Sequence, residues 1–248
     1  MLNYIHADLH RIFRRIPRCV FIILFYAIIL GVECYQAVSK SYNSVNLMAD
    51  SPTFFGIASL VLGIVELQSV FSDDFRAKTM QIAIGLGLSR PKVVLVKLLD
   101  VAILSVVDQM ILMFLFILGG MGCGISLLGD QIRMLVVSAL GCALSTILMT
   151  ALTMIPLFYL QSTSLAILFF LLISADPLQL ILAMFSTNEI VLNLHLQELP
   201  YSVVTSTLTT QLALGNTLPI PQLLGTIAYL VLAYGLTVLV FRKRELDF

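Results

Sequence analysis

The sequence VVLVKLLDVAILSVVDQMILMFLFIL, residues 93–118, is an apolar run with only a few polar side chains in it. It is longer than the roughly 20 apolar residues that a helix needs to cross a bilayer. A soluble protein of 248 residues with 59% apolar side chains would have more apolar surface than it could bury, whereas a bundle of spanning helices exposes that surface to lipid. The run therefore predicts an all-α integral membrane protein.

Other stretches of the chain are also long and apolar enough to span. The six predicted spans are 17–35, 53–71, 93–118, 133–155, 164–185 and 222–241. Asp176 and Pro177 interrupt the fifth span, and we expect a break there, near the outer leaflet. No internal repeat is visible, so residues 1–248 are predicted to form a single membrane domain. It has a surface helix at 1–16, six spans within 17–241 and a tail at 242–248.

Lysine and arginine concentrate on one side of these spans. The cations on that side are Arg11, Arg14, Arg15, Arg18, Arg76, Lys78, Arg90, Lys92, Lys97, Arg242, Lys243 and Arg244. The other side has only Lys40 and Arg133. Because basic residues stay in the cytoplasm, both termini are predicted to be cytoplasmic. A cleaved signal peptide over 17–32 is disfavoured, since the following Glu33 and Tyr35 do not suit a cleavage site.

Two segments at the predicted inner face are polar enough to lie outside the hydrocarbon. In NYIHADLHRIFRRIP, residues 3–17, apolar side chains recur at helical spacing, which predicts an amphipathic helix in the membrane surface. A basic anchor that only fixes topology is the alternative. In FSDDFRAKTMQIAIGLGLSRPKVVLVKLL, residues 71–99, we expect a short helix over 72–81 with Ser72 as its N-cap, then a bend at Gly85 and Gly87. The alternative is a solvated loop.

The segment after the fifth span, residues 186–224, is too long for a turn and too apolar for an ordinary loop. Pro200, Pro219 and Pro221 divide it. We expect it to fold back into the outer leaflet, supported by other parts of the protein that satisfy its backbone. A plain structured loop is the alternative. Cys34 and Cys123 fall near the same outer face, and whether they pair is left open.

Three of the acidic residues within the predicted spans are considered for a specific role. Glu66, near the inner end of the second span, could pair with Arg14 or Arg15 of the surface helix, or face polar groups inside the bundle. Asp108 lies deep in the third span, where a carboxylate costs about 3 kcal/mol, so it is a candidate for a transport role. A hydrogen bond from a Ser or Thr of the fourth span is its alternative. Asp176 is a second candidate for the transport path.

Together these features resemble the permease subunit of ATP-binding-cassette exporters of the type-2 kind. The inner loop of that family commonly reads Glu-aromatic-Arg-x-Gly-Thr, then Ser-Arg, then Lys seven residues beyond that Arg. The matching residues here are Asp74, Phe75, Arg76, Thr79, Ser89, Arg90 and Lys97. Asp74 replaces the usual Glu, and Lys78 stands where Gly is common. The basic ending FRKREL, residues 241–246, is similar to the tail of the family.

The resemblance implies an N-terminal connecting helix, a cytoplasmic coupling helix between spans two and three, and an outer re-entrant segment between spans five and six. It also implies two partner ATPase subunits, gripping the loop at 73–90, and a second copy of the chain or a related permease. The implied coupling residues are Asp73, Asp74, Phe75, Arg76, Lys78, Thr79, Arg90 and Lys97. The residues expected to link the connecting helix electrostatically are Arg14, Arg15 and Glu66.

The chain lacks the G-x-x-x-x-G-K-[ST] loop that cradles ATP, so it is not expected to be an enzyme. ATP and Mg²⁺ would be bound by the partner, and no metal, other cofactor or nucleic acid is expected on this chain. The expected location is a bacterial plasma membrane, and the expected cargo is hydrophobic or amphiphilic, such as a drug, peptide or lipid. Two alternatives remain, a secondary transporter that uses Asp108 and a membrane immunity or sensor protein that does not transport.

Overall fold

The computed structural model describes residues 2–39, 43–76, 79–85, 87–185, 195–215 and 219–243. Within these ranges the regular structure is entirely helical. In the first half of the chain the helices are α1 (Leu2–Phe13), α2 (Ile16–Ser39), α3 (Ser44–Arg76), α4 (Thr79–Gly85) and α5 (Arg90–Gly122). In the second half they are α6 (Gly129–Leu160), α7 (Thr163–Ser174), α8 (Pro177–Met184), α9 (Tyr201–Ala213) and α10 (Ile220–Lys243), with a short 3-10 helix at Leu196–Glu198.

Among the described residues, six stretches are helical, long and apolar enough to cross a membrane. They are α2, α3, α5, α6, the pair α7 and α8, and α10, in the order that the hydropathy of the sequence predicts. The all-α class and the number of spans are thus confirmed. Six such helices are typical of a multi-pass membrane protein.

Three of these helices are longer than a bilayer requires. α3 and α5 have 33 residues each and α6 has 32. At 1.5 Å per residue each helix is about 50 Å long, whereas the hydrocarbon core is roughly 30 Å thick. The additional turns contain the charged ends of α3 and α5, which the predicted spans 53–71 and 93–118 left out.

The prediction that Ser72 starts a new helix is wrong. Ser72, Asp73 and Asp74 lie in the last turns of α3, and the next helix, α4, begins at Thr79. Carboxylates at a helix C-terminus are unfavourable for the helix dipole. Here they are compensated, because Arg11 and Lys97 contact them. The ring of Phe75 also stacks on that of Phe71 one turn earlier, at a centroid distance of 6.3 Å, which continues the packed face of α3.

The bend before α5 is confirmed. Gly87 has a φ of 96°, a left-handed conformation that favours glycine. The amide of Leu88 donates to the carbonyl of Ala83 at 3.1 Å, which closes the end of α4. Pro91 then lies in the first turn of α5, where the missing N–H costs nothing.

The break predicted in the fifth span is also confirmed. α7 ends at Ser174, and Asp176 has left-handed backbone angles of φ 44° and ψ 66°. The Asp176 carboxylate accepts a hydrogen bond from the amide of Gln179 at 3.2 Å and so caps the start of α8.

The long segment that follows is described only in part, because residues 186–194 and 216–218 lie outside the described ranges. Its main element, α9, runs alongside the first half of α6. The Arg133 guanidinium donates to the backbone carbonyl of Ala213 at 3.0 Å. The Ser145 hydroxyl donates to the hydroxyl of Thr205 at 3.2 Å. Between these contacts Gly141 leaves room for the Thr209 side chain.

α5 and α6 lie at the centre of the bundle, and each packs against several other helices. α3, α6 and α7 approach closely at Gly63, where an added Cβ would meet the ring of Phe170 and the methyl of Thr146. Beside the ends of α3 and α10, Phe158 packs edge-on against Phe71 and lies 4.8 Å from the Phe241 ring. This aromatic packing supports the end of the bundle that holds the charged residues.

Candidate functional site

One charged residue of α1, Asp8, points into the interior of the protein. Asp8 and Ile12 are one helical turn apart, so they share a face, and both are buried. An amphipathic surface helix, as predicted from the sequence, would instead have its charged residues on the face away from the membrane. Asp8 is buried because a buried lysine of α5, Lys97, compensates its charge.

Lys97 is the centre of an ion-pair network that we call the Lys97 cluster, formed by Asp8, Arg11, Asp74 and Lys97. The Lys97 ammonium lies 2.5 Å from the Asp8 carboxylate and also pairs with Asp74. Arg11 completes the ring, at 3.2 Å from Asp8 and 3.3 Å from Asp74. Lys97 is 0% exposed, Asp74 2% and Asp8 7%, so these charges depend on one another rather than on water.

The Lys97 cluster joins three helices that are far apart in sequence. Asp8 and Arg11 come from α1, Asp74 from the end of α3, and Lys97 from the second turn of α5. The ammonium of Lys97 also lies 5.4 Å from the centre of the Tyr4 ring, a cation–π contact with α1. Burial in this environment raises the pKa of the Tyr4 hydroxyl. The cluster therefore fixes α1 to the adjoining ends of α3 and α5.

A second group of charges extends the contact between the α1–α2 connection and α3. Arg15 forms an ion pair with Asp73, and the Arg11 guanidinium lies 3.8 Å from the same carboxylate. Arg14 is exposed. These contacts bring the predicted residues Asp73, Asp74, Lys97 and Arg15 together at one end of the bundle.

The other end of the α3–α5 connection is held by Arg90. Its guanidinium donates to the carbonyls of Phe241 at 2.8 Å and Arg242 at 3.1 Å, in the last turn of α10. It also lies 5.5 Å from the centre of the Phe241 ring. A cation at this place satisfies terminal carbonyls and favours the dipole of α10.

Of the remaining predicted coupling residues, the structure describes the side chain of Phe75 only. Phe75 is half-buried against the hydrophobic core. Arg76 ends α3 and Thr79 begins α4, but their side chains lie outside the described part of the chain. Lys78 lies outside the described residues altogether.

Asp108 has a charged partner that the sequence analysis did not find. The Arg18 guanidinium lies 2.5 Å from the Asp108 carboxylate, and both side chains are buried. The Tyr26 hydroxyl donates to the backbone carbonyl of Asp108 at 2.7 Å. The alternative in which Ser145, Thr146 or Thr150 bonds Asp108 is thus not observed, since α2 rather than α6 supplies the partner. A long guanidinium in the first turns of a spanning helix can reach along its neighbour to a carboxylate deeper in the bundle.

The structure decides between the two predictions for Glu66. Its carboxylate is buried and accepts a hydrogen bond from the Ser105 hydroxyl of α5, instead of pairing with Arg14 or Arg15. Glu66 therefore follows the alternative in which it faces polar groups inside the bundle. The pairing of Arg15 with Asp73 explains the difference, because Asp73 lies at the end of α3 near the surface helix.

Sequence reasoning missed four buried charged groups, and one of them, Glu33, lies near Gly119 at the opposite end of α5 from this site. Asp8 and Arg18 are the buried partners of Lys97 and Asp108. Asp100 and Glu33 are each 0% exposed, and within the described ranges their carboxylate oxygens have no hydrogen-bond partner. The signal for Arg18 was its position two residues inside α2. The signal for Asp100 was its spacing of three residues from Lys97 on the same helix.

Other predictions on polar residues have mixed outcomes. Cys34 and Cys123 are free thiols. In the part of the chain that the structure describes, no group of His, Cys, Asp and Glu side chains is arranged to hold a metal ion.

No protein-family model matches the sequence, and no curated protein is significantly similar to it.

Proposed function

We propose that this chain is the membrane-spanning subunit of an ATP-driven exporter. In this proposal two copies, or one copy and a related permease, form the translocation path, and two separate ATPase subunits bind ATP and Mg²⁺. The cargo is hydrophobic or amphiphilic. The observation that carries the proposal is the Lys97 cluster, which ties the connection between α3 and α5 to α1 through buried ion pairs.

The cluster supports the proposal because it attaches the α3–α5 connection rigidly to other helices, so that a movement of the connection would be transmitted to them. At one end Asp74 is held by Lys97 and Arg11, and at the other Arg90 is bonded to the last turn of α10. A force applied to α4 would therefore act on α1, α3, α5 and α10 together. Rigid elements joined by a few strong contacts are what a nucleotide-driven closure needs to move a membrane path.

Two further elements support the same assignment. α1 would act as the connecting helix at the membrane surface, and α4 as the coupling helix that an ATPase subunit grips. α9, which lies beside the first half of α6, would be the re-entrant part of the outer segment. In the proposal the Lys97 cluster and both termini lie on the cytoplasmic side of a plasma membrane, where ATP is available, and the concentration of Lys and Arg at this end of the spans supports that orientation. A bacterial origin remains part of the proposal.

An exposed apolar residue of α4 provides the test. Ile82 is 59% exposed, and in the proposal it faces the ATPase subunit. The tagged full-length chain is purified from its host in mild detergent, and vanadate-sensitive ATP hydrolysis and co-purified proteins containing a P-loop are measured. We expect both in the wild type, and we expect Ile82→Asp to remove them.

Leu128→Asp is the matched control. Leu128 is 71% exposed and precedes α6, at the opposite end of α5. This variant should keep the ATPase and its activity. Absence of a P-loop protein from the wild-type preparation, or its full retention by Ile82→Asp, would contradict the proposal. Transport by the chain without an ATPase, abolished by dissipating the ion gradient, would favour the secondary-transporter alternative.

A further inference from the structure

A cavity of about 510 Å³ lies between α3, α6 and α9. Its volume falls in the range of sites that hold small molecules. Its wall contains hydroxyl groups from α9 and α6, and it also includes the side chains of Met48, Met134 and Met149. The Lys97 cluster contributes nothing to it, so the cavity is separate from the site described above.

Several hydroxyl groups of α9 donate their protons to backbone carbonyls of the same helix. Thr205 donates to the carbonyl of Tyr201 at 2.9 Å, and Thr209 donates to that of Thr205 at 2.6 Å. Ser206 and Thr210 likewise donate to carbonyls of their own helix, at 3.1 and 2.8 Å. Such bonds to the preceding turn are the usual arrangement for Ser and Thr within a helix.

Three more hydroxyls, two on α9 and one on α6, donate to groups of a neighbouring helix. Ser145 donates to the Thr205 hydroxyl at 3.2 Å, and Ser202 donates to the side-chain oxygen of Gln179 at 3.0 Å. The Tyr201 hydroxyl donates to the carbonyl of Ile173 at 2.9 Å, and burial raises its pKa, so it stays protonated. Each of these oxygens retains lone pairs that can accept a further hydrogen bond.

The wall is therefore rich in hydrogen-bond acceptors, and most of its hydroxyl protons are already bonded to the protein, the hydroxyl of Ser138 being an exception within the described ranges. Among the described residues that line the cavity there is no Lys, Arg, His, Asp or Glu. An anionic group would find no cation there, and at most of the hydroxyls a carbonyl would compete for a proton already bonded to the protein. A group with N–H donors, in contrast, gains bonds without displacing any.

The methionine side chains of the cavity suit the apolar part of the same ligand. Thioether side chains are flexible and polarisable, so they adapt to apolar groups of different shape. Pro52 adds to the apolar surface beside Met48. The cavity thus combines an acceptor surface and an apolar surface within one space.

We propose that this cavity binds an amphiphile whose uncharged polar end donates N–H hydrogen bonds, such as a primary amide, with its apolar chain against the methionines. The inference concerns binding to this chain alone and does not depend on the ATPase partner. Its success or failure is therefore distinguishable from that of the proposed transport function.

The test compares ligands that differ in donors. Radiolabelled dodecanamide is bound to the full-length chain in lipid nanodiscs, with binding to empty nanodiscs subtracted, and unlabelled dodecanamide or methyl dodecanoate is added as competitor. Because the ester lacks N–H donors, we expect it to compete about tenfold more weakly. Equal competition by the ester, or no saturable binding of dodecanamide, would overturn the proposal.

Variants locate the binding in the cavity. Thr209→Val with Ser206→Ala removes two acceptors and should weaken dodecanamide binding about tenfold, with a smaller effect on the ester. The control is Thr237→Val, since Thr237 of α10 makes the same kind of bond, to the carbonyl of Ala233 at 2.8 Å, away from the cavity. Ser206→Ala alone, at an exposed position, covers the case in which the double variant fails to fold. Unchanged dodecanamide binding in these variants would also overturn the proposal.

Discussion

The Lys97 cluster and the hydroxyl wall of α9 are both polar and both lie against spanning helices, but their polar groups are satisfied in opposite ways. In the cluster, each charge is paired with a residue of another helix, as Lys97 of α5 is with Asp8 of α1 and Asp74 of α3. In the wall, most hydroxyls bond carbonyls of their own helix, as Thr209 does. The cluster therefore holds helices together, whereas the wall leaves its acceptors available.

This difference makes a thermodynamic prediction for each region. Removing one member of a buried ion pair leaves an uncompensated charge in the protein interior and is strongly destabilising. Removing a hydroxyl that is bonded within its own helix leaves the helical backbone bonds intact, so it should have little effect. We therefore expect the loss in the free energy of unfolding to be largest for variants of the ion pairs and smallest for variants of the hydroxyl wall.

Lys97→Met should have the largest effect. It leaves the buried carboxylates of Asp8 and Asp74 without their shared ammonium, and we expect a loss of about 3–5 kcal/mol in the free energy of unfolding. The measurement is reversible unfolding in mixed micelles. Lys92→Met is the control, because Lys92 lies on the same helix but is exposed. A loss for Lys97→Met no greater than for Lys92→Met would show that the cluster does not hold the helices.

The Arg18–Asp108 pair should respond to a double-mutant cycle. Arg18→Met or Asp108→Leu alone leaves one buried charge unpaired and should cost about 3 kcal/mol. The double variant replaces both charges by apolar groups, and we expect it to lie within about 1 kcal/mol of the wild type. Additive losses in the same unfolding measurement would mean that the two side chains do not interact.

Gly141→Ala should have an intermediate effect that is specific to α9. The added Cβ would meet the Thr209 side chain and push α9 away from α6, at a cost of about 1–3 kcal/mol. Gly56→Ala is the control, because a Cβ at that position has open space around it. If Gly141→Ala were as stable as Gly56→Ala, the close packing of α9 on α6 would be refuted.

Thr209→Val should have the smallest effect on stability. Its hydroxyl bonds within α9, so we expect the free energy of unfolding to change by less than about 1 kcal/mol. The same variant is expected to weaken amide binding when combined with Ser206→Ala. A large destabilisation would instead make the hydroxyl a structural element like the ion pairs of the Lys97 cluster.

The sequence was sufficient to predict features that depend on local composition. Long apolar runs predicted six spans, Pro177 predicted the break in the fifth, and Gly87 predicted the bend before α5. Helix ends were less predictable, since α3 continues to Arg76 only because residues of α1 and α5 compensate its terminal carboxylates.

The candidate site was only half predictable for the same reason. Asp74 and Lys97 were identified from a motif, but their partner Asp8 appeared to belong to the polar face of a surface helix. Likewise Asp108 seemed to lack a cation, because Arg18 lies at the start of a span rather than at its middle. Partners on different helices are set by how the helices align, and hydropathy along one helix does not contain that information.

Labelling of introduced cysteines tests the central claim most directly, namely that the end of the bundle with the Lys97 cluster faces the cytoplasm, where an ATPase can act on α4. Gly85→Cys at the end of α4 and Gly129→Cys at the start of α6 are introduced separately after the four native cysteines have been replaced. Both glycines have open space around them. With a membrane-impermeant thiol reagent on intact cells, the account predicts labelling at 129, and labelling at 85 only after permeabilisation. Labelling at 85 in intact cells, with protection at 129, would contradict it.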